Sequence, residues 1–277
     1  MISLDTEEIM QIALEMAGFD EVPPDSAIYV PGKDINRVIF TIDPDPSILI
    51  LAKQLGYDLV ISHHYTSACV NAWKVFLKHV DQMVKAGVPR EEAEKAVQKK
   101  LLEIKITGHI RNYDLVDSIA RLLKIPFMNI HNPLDEIGRR IMQETIDKYL
   151  KGRQNPKVQD VIDALYTLKE FKYAKTKILV EVGSPENPVG KVVVSHGALT
   201  NGGYEVASKY FEYGIDTVVY IHISPGDLMK LRAENKGNLI ISGHIASDSV
   251  GINPFLDRLE KEGLEVLRLG GVIPPTV

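Results

Sequence analysis

Short apolar segments rich in β-branched residues alternate along the chain with segments whose apolar residues recur every three or four positions. The first pattern predicts buried strands and the second predicts amphipathic helices. Strands that alternate with helices are typical of a doubly wound α/β layer, so we expect an α/β fold. The strands are predicted at 27–30, 37–42, 59–61, 104–107, 126–130, 177–182, 191–195, 217–221, 239–241 and 264–267.

Residues 71–102 interrupt this alternation with two predicted helices, which we interpret as an insertion. His79 lies on the apolar face of the first of them, which indicates packing rather than ligand binding. The predicted organisation is an N-terminal α/β lobe over 1–130, a helical connection over 131–175 and a C-terminal α/β lobe over 176–277.

Composition narrows the classes of function. A formal net charge of −5 disfavours a nucleic-acid grip based on phosphate neutralisation. The single cysteine, Cys69, allows neither an internal disulfide nor a Cys-based zinc site. The first residues are acidic rather than basic, and no apolar run approaches the ~20 residues of a membrane span. We therefore expect a soluble, cytoplasmic protein with no membrane contact.

The strand at 59–61 ends at two adjacent histidines, His63 and His64. In an open α/β sheet, ligands bind beyond the carboxyl ends of the strands. One interpretation is that the pair caps the strand through local hydrogen bonds. The other is that both imidazoles bind a metal ion, since neutral imidazole is the commonest metal ligand in proteins.

The two ends of the chain echo each other. The segment 56–60 leads to His63, and the similar segment 214–218 leads to His222. A Gly-His-Ile triplet at His109 is followed by Asp114, and a second at His244 is followed by Asp248. One interpretation is that this similarity reflects two related lobes, each of which contributes a histidine and a carboxylate to one cleft. The alternative is that each aspartate only caps a helix.

Imidazole and carboxylate ligands without thiolates suit zinc, iron, manganese or nickel. The candidates exceed what one tetrahedral ion needs, so we expect two divalent metal ions. They are the six side chains His63, His64, His109, Asp114, His244 and Asp248. The chain contains neither a P-loop nor a Gly-x-Ser-x-Gly elbow. Metal-activated water is therefore the expected chemistry. Asp43 is predicted either to orient a ligand imidazole or to cap a turn, and His131 to be a turn residue.

At these motifs the chain resembles the Nif-three-like family, often labelled GTP cyclohydrolase I type 2 homologues. The resemblance rests on the strand that ends at His63-His64, on His109 with Asn112-Tyr113-Asp114, and on Gly243-His244-Ile245-Ala246-Ser247-Asp248. It implies two α/β lobes around a dinuclear metal centre and a ring-like hexamer. The implied metal ligands are His63, His64, Asp114, His244 and Asp248.

The sequence therefore predicts a metal-dependent, hydrolase-like protein that acts on a small molecule such as a nucleotide, with His109 or His222 relaying protons. The alternative is a metal-binding or regulatory scaffold without turnover. A homo-oligomer is expected, and a nucleic-acid partner is not.

Overall fold

Helices and strands alternate along the residues that the computed structural model describes, which are 3–274. The strands are β1 (Ala27–Val30), β2 (Arg37–Thr41), β3 (Leu59–Ser62), β4 (Phe127–Asn129), β5 (Leu179–Val182), β6 (Val192–Val194), β7 (Thr217–Tyr220), β8 (Asn238–Ile241) and β9 (Glu265–Arg268). The helices are α1 (Thr6–Ala17), α2 (Pro46–Leu55), α3 (Cys69–Ala72), α4 (Lys78–Lys85), α5 (Arg90–Ile110), α6 (Leu115–Leu123), α7 (Asn132–Leu150), α8 (Val158–Leu165), α9 (Lys169–Tyr173), α10 (Gly203–Glu212), α11 (Pro225–Glu234) and α12 (His244–Lys261). The predicted α/β class is confirmed.

The chain divides into two units. Unit 1 comprises residues up to 75, residues 104–137 and residues from 251 on; unit 2 comprises 76–103 and 138–250. Unit 1 contains a sheet of order β1-β4-β3-β2-β9, and unit 2 one of order β5-β8-β7-β6. None of the described helices combines the length and apolarity that a membrane crossing requires.

The two sheets repeat one topology. Both contain three neighbouring parallel strands (β4, β3, β2 and β8, β7, β6) and an edge strand antiparallel to the first of them. Unit 1 adds β9, which is parallel to β2. Both antiparallel pairs, β1 with β4 and β5 with β8, carry a register irregularity. The parallel neighbours and the helical crossovers follow from the strand–helix alternation of the sequence.

A carboxylate anchors the amino end of the central strand in each unit. Asp58, just before β3, accepts hydrogen bonds from the backbone N–H groups of Asn36 and Arg37 at 2.9 and 2.8 Å. Asp216, just before β7, accepts one from the N–H of Lys191 at 2.8 Å. The repeat therefore extends to side chains, and it supports the predicted echo between 56–60 and 214–218.

Apolar side chains on one face of the unit 1 sheet are buried, which explains why the sequences of its strands are apolar. Ile39 of β2, Val60 of β3 and Phe127 of β4 belong to one buried cluster. Leu49 of α2 and Ala120 of α6 belong to the same cluster. Removing such side chains from water contributes ~25 cal/mol per Å² of apolar surface.

The last of the described strands lies with the N-terminal segments of the chain. Strand β9 pairs in parallel with β2 and so joins the sheet of unit 1, not the C-terminal lobe. The predicted insertion at 71–102 is divided between the two units, because residues 76–103 belong to unit 2. The pairing of β9 with β2 joins segments far apart in sequence, which local patterns do not encode.

The predicted strand at 104–107 is wrong, since these residues continue helix α5 to Ile110. Gly108, which directly follows the predicted strand, has a packing role within this helix. A Cβ atom at Gly108 would lie 2.5 Å from the backbone oxygen of Cys69, so only glycine allows this close approach.

His79 is fully buried, as its place on the apolar face of α4 predicts. Its Nε2 lies 2.8 Å from the carbonyl oxygen of Thr200, and its Nδ1 lies 3.5 Å from Oγ of Ser195. Burial lowers the pKa of His79 to about 4, and the charge of Lys100 acts in the same direction. The imidazole is therefore neutral in the folded protein at pH 7.

We expect this burial to make folding sensitive to acid. The unfolded state takes up the His79 proton near pH 6.5 and the folded state only near pH 4, so stability falls as pH drops through this window. The loss from this group is on the order of 2 kcal/mol between pH 7.5 and pH 5. Urea unfolding at several pH values measures it.

The variant His79→Gln provides the comparison. It keeps a donor toward Thr200 but removes the titrating group, so its unfolding free energy should vary less with pH than that of the unmodified chain. Equal pH dependence in both proteins would contradict the assignment.

Candidate metal centre

Two adjacent parallel strands deliver histidines to the same edge of the unit 1 sheet. Strands β3 and β4 pair with Ser62 opposite Asn129. The chain leaves β3 directly into His63 and His64, whose N–H groups continue the pairing to Thr41 and Ile42 at 2.9 and 2.8 Å. It leaves β4 into His131. The two strand ends therefore place three imidazoles side by side.

Helix α7 adds a carboxylate. It begins at Asn132, so His131 and Asp135 are one helical turn apart and face the same side. Both are buried, with relative exposures of 4% and 2%. The imidazole rings of His63 and His131 lie 4.7 Å apart between centroids.

Each of the three imidazoles uses Nδ1 to bind a hydrogen-bond acceptor. The pairs are His63 with the carbonyl oxygen of Ile130 (3.1 Å), His64 with Oδ1 of Asp43 (2.6 Å) and His131 with Oδ2 of Asp25 (2.7 Å). Because carbonyl and carboxylate oxygens only accept, the proton of each neutral ring is on Nδ1. The lone pair is then on Nε2, which is how metal-binding histidines are usually oriented.

The Nε2 atoms and the carboxylate lie at ligand spacing. Nε2 of His63 is 3.1 Å from Oδ1 of Asp135, and Nε2 of His131 is 3.8 Å from Oδ2 of the same aspartate. Two ligands bound to one ion at about 2.1 Å lie about 3.0–3.4 Å apart. His63, His64 and His131 each offer a ring nitrogen, and these atoms lie within 4.8 Å of one another. This group can therefore hold a metal ion.

Burial shifts the protonation of the set toward its neutral forms. It raises the pKa of Asp135 to about 7 and lowers the pKa of His131 to about 3. Neutral imidazole is the form that binds metal. A divalent cation would be the largest local charge here and would favour the ionised form of Asp135.

Unit 2 presents a second set at the corresponding strand ends. His244 begins α12 after β8, and Asp248 follows one turn later with an exposure of 2%. Nε2 of His244 is 3.2 Å from Oδ2 of Asp248. His222 follows β7, and its ring centroid is 4.6 Å from that of His244. These three side chains are therefore neighbours within unit 2.

Two predicted site residues lie elsewhere. His109 is exposed near the end of α5, because its Gly-His-Ile triplet is helical rather than a strand end. Asp114 precedes α6, and its Oδ1 accepts a hydrogen bond from Nη2 of Arg121 at 2.5 Å. Among residues 3–274, neither side chain belongs to a group of three candidate ligands. The geometry therefore does not support Asp114 as a ligand or His109 as a proton relay.

The sequence interpretation missed His131, Asp135 and Asp25. The available signal was spacing: His131 and Asp135 repeat the His-x-x-x-Asp pattern of His244 and Asp248. The Asn-Pro that follows His131 suggested a turn and concealed this correspondence. Of the two readings of Asp43, the structure shows the one that orients an imidazole, that of His64.

The comparisons with known proteins agree with this architecture. A family model described as Duf34/NIF3 (NGG1p interacting factor 3) matches residues 28–270. A NIF3 superfamily protein from Sphaerobacter thermophilus is 50% identical, with a TM-score of 0.95 over 98% of this chain and 100% of its own. None of the curated proteins matches this chain.

More distant structures share the fold. The reduced HcgD protein from Methanocaldococcus jannaschii is 15% identical, with a TM-score of 0.58 over 97% of this chain and 98% of its own. The hypothetical protein SA1388 from Staphylococcus aureus is 13% identical, with a TM-score of 0.55 over 100% of this chain and 99% of its own.

The Nδ1 hydrogen bond from His64 gives a direct test of the candidate centre. Replacing Asp43 by Ala removes the acceptor that orients the ring, and such losses typically weaken metal binding about 10–100-fold. We expect weaker Zn²⁺ binding in Asp43→Ala, measured by competition with a chromophoric chelator.

The control is Asp45→Ser, which removes the same charge two residues away while keeping a side chain that caps α2. Its affinity should match that of the unmodified chain. Equal affinities in all three proteins would remove His64 from the centre.

Proposed function

This chain belongs to the DUF34/NIF3 family, and from that premise we propose that it is a metal-dependent, hydrolase-like protein acting on a small molecule. The proposed ligands in unit 1 are His63, His64, His131 and Asp135, with Asp135 in the role first predicted for Asp114. His244 and Asp248 of unit 2 remain proposed ligands. We propose two divalent ions per chain.

One observation carries this proposal: three neighbouring imidazoles all direct Nδ1 to an acceptor. A histidine packed for stability alone has no reason to share its orientation with two neighbours. Rings that share a metal do, because each needs the lone pair on the same nitrogen. The carboxylate of Asp135, 3.1 Å from Nε2 of His63, supplies negative charge at that point.

A divalent ion held here would lower the pKa of a bound water and polarise a substrate oxygen. The protein's own contribution is orientation. Asp25 and Asp43 fix two imidazoles, and the carbonyl of Ile130 fixes the third. Burial of His63, His131 and Asp135 keeps bulk water from these groups, which strengthens electrostatic interactions among them. A nucleotide substrate is supported only by family resemblance.

Metal analysis of the purified protein tests the proposal. We expect bound divalent metal in the unmodified chain, and loss of the unit 1 metal in Asp135→Ala, since removing a ligand costs at least the 10–100-fold of a supporting contact. His109→Ala and Asp114→Ala are matched controls that should retain all metal. Inductively coupled plasma mass spectrometry gives the stoichiometry.

Turnover separates the enzyme from a metal-binding scaffold. Metal-loaded protein would be assayed against a panel of phosphate esters, cyclic amides and nucleotides, GTP included. Hydrolysis that disappears with Asp135→Ala and persists with His109→Ala supports the enzyme. Bound metal with no hydrolysis of any compound would favour the scaffold.

We also propose that the chain forms a homo-oligomer, as family resemblance implies. Ile106 and Ile110 lie one turn apart near the end of α5 and are 53% and 74% exposed. Large apolar side chains that stand together in water are typical of surfaces covered by a partner. A second copy of this chain would bury them.

We expect Ile106→Glu with Ile110→Glu to lower the molar mass measured by light scattering, because charges at an apolar interface oppose association. Met229→Glu, a change at a 71% exposed apolar residue of α11, is the control. An unchanged mass in the double variant would place any interface elsewhere.

A further inference from the structure

The repeated topology identifies corresponding histidines in the two units. His64 follows the anchoring Asp58 by six residues, and His222 follows the anchoring Asp216 by six. Each lies beyond the carboxyl end of the central parallel strand, β3 or β7. His222 is thus the unit 2 counterpart of His64, just as His244 and Asp248 are counterparts of His131 and Asp135.

The Nδ1 atoms of these two counterparts have opposite partners. Nδ1 of His64 faces a carboxylate oxygen, that of Asp43, at 2.6 Å. Nδ1 of His222 faces the side-chain amide nitrogen Nδ2 of Asn201 at 3.0 Å. A carboxylate accepts a proton from the ring, whereas an amide nitrogen donates one to it.

A second hydrogen bond fixes the orientation of the Asn201 amide. The backbone N–H of Gly203 donates to Oδ1 of Asn201 at 3.0 Å. A flipped amide would set its NH₂ group against this N–H and lose the bond. The Nδ2 hydrogens therefore face His222, whose Nδ1 must accept and whose ring proton is on Nε2.

The helical insertion holds the segment that carries Asn201. Nε2 of His79 on α4 lies 2.8 Å from the carbonyl oxygen of Thr200. Gln82, one turn later on α4, donates to the carbonyl oxygen of His196 at 2.7 Å. Asn201 itself is only 3% exposed. The amide is thus part of a fixed loop and not a mobile surface group.

We propose that Asn201 is a positioning residue that holds His222 as its Nε2–H tautomer, so that His222 donates a hydrogen bond to a ligand oxygen and does not bind metal through Nε2. The inference deepens the proposed function, on which the ligand-binding part rests. Carbonyl and phosphate oxygens are the acceptors such a donor suits. Neutral imidazole used in this way polarises a carbonyl in other enzymes.

The proposal also assigns different roles to the two corresponding histidines. His64, with its Nε2 lone pair, serves as a metal ligand. His222, with its Nε2–H, serves as a donor. The division replaces the proton relay that the sequence suggested for His222 with an oriented hydrogen-bond donor.

Nitrogen-15 NMR of the histidine rings tests the tautomer without any activity assay. In metal-free protein at pH 7.5, with His222→Gln used for assignment, we expect Nδ1 of His222 to resonate as an unprotonated nitrogen and Nε2 as a protonated one. Loading with Zn²⁺ should leave this pattern unchanged. A proton on Nδ1, with or without Zn²⁺, would overturn the proposal.

The variant Asn201→Asp tests the positioning role. Its carboxylate still accepts from Gly203 but now also accepts from His222, which recreates the pairing of Asp43 with His64. We expect the proton to move to Nδ1 and Zn²⁺ affinity to rise about tenfold, the lower end of such orienting effects. The rise in Zn²⁺ affinity should not appear in Asn201→Asp with His222→Gln, which lacks the ring.

The two measurements separate this proposal from the proposed function. Loss of metal binding altogether, with the Nε2–H tautomer present in the metal-free protein, refutes the metal centre and leaves the positioning by Asn201 intact. Unchanged tautomer in a folded Asn201→Asp protein refutes the positioning whatever the metal content.

Discussion

Burial of ionisable side chains at one edge of the unit 1 sheet is the constraint on which the rest of the site depends. An unpaired charge costs several kcal/mol when it leaves water. His131 and Asp135 meet this cost by shifting toward neutral forms. Asp25 and Asp43 accept hydrogen bonds from the Nδ1–H groups of His131 and His64, which satisfies these ring donors. The neutral imidazoles that result are the form in which a metal is bound.

Much of the fold could be predicted because its causes are local. Buried parallel strands need continuous apolar side chains, and the helices need an apolar face. The pair His63-His64 could be located for the same reason, since a polar pair that directly follows a buried strand lies at the ligand-binding edge of the sheet. The repeated Gly-His-Ile triplet then identified His244 and Asp248 as further candidates, and the family resemblance implied the same two residues.

The misplaced residues depended on distant contacts. The same Gly-His-Ile triplet is helical at His109 and follows strand β8 at His244, because only the second segment has sheet neighbours to pair with. Gly108 is set by its approach to Cys69, 39 residues earlier along the chain. Strand β9 joins a sheet whose other members precede it by more than a hundred residues. Local sequence patterns contain none of this information.

The anchors Asp58 and Asp216 have a consequence for how this fold tolerates change. Each ties the amino end of a central strand to its neighbour's backbone, and the two units use the same device. The carboxyl ends of the same strands lead to counterpart histidines, His64 and His222, whose Nδ1 atoms have different partners. Architecture and chemistry thus occupy opposite ends of each sheet, about 13 Å apart for a strand of four residues. A scaffold divided in this way can exchange its reactive side chains without losing its register, which makes it a suitable starting point for redesigned activity.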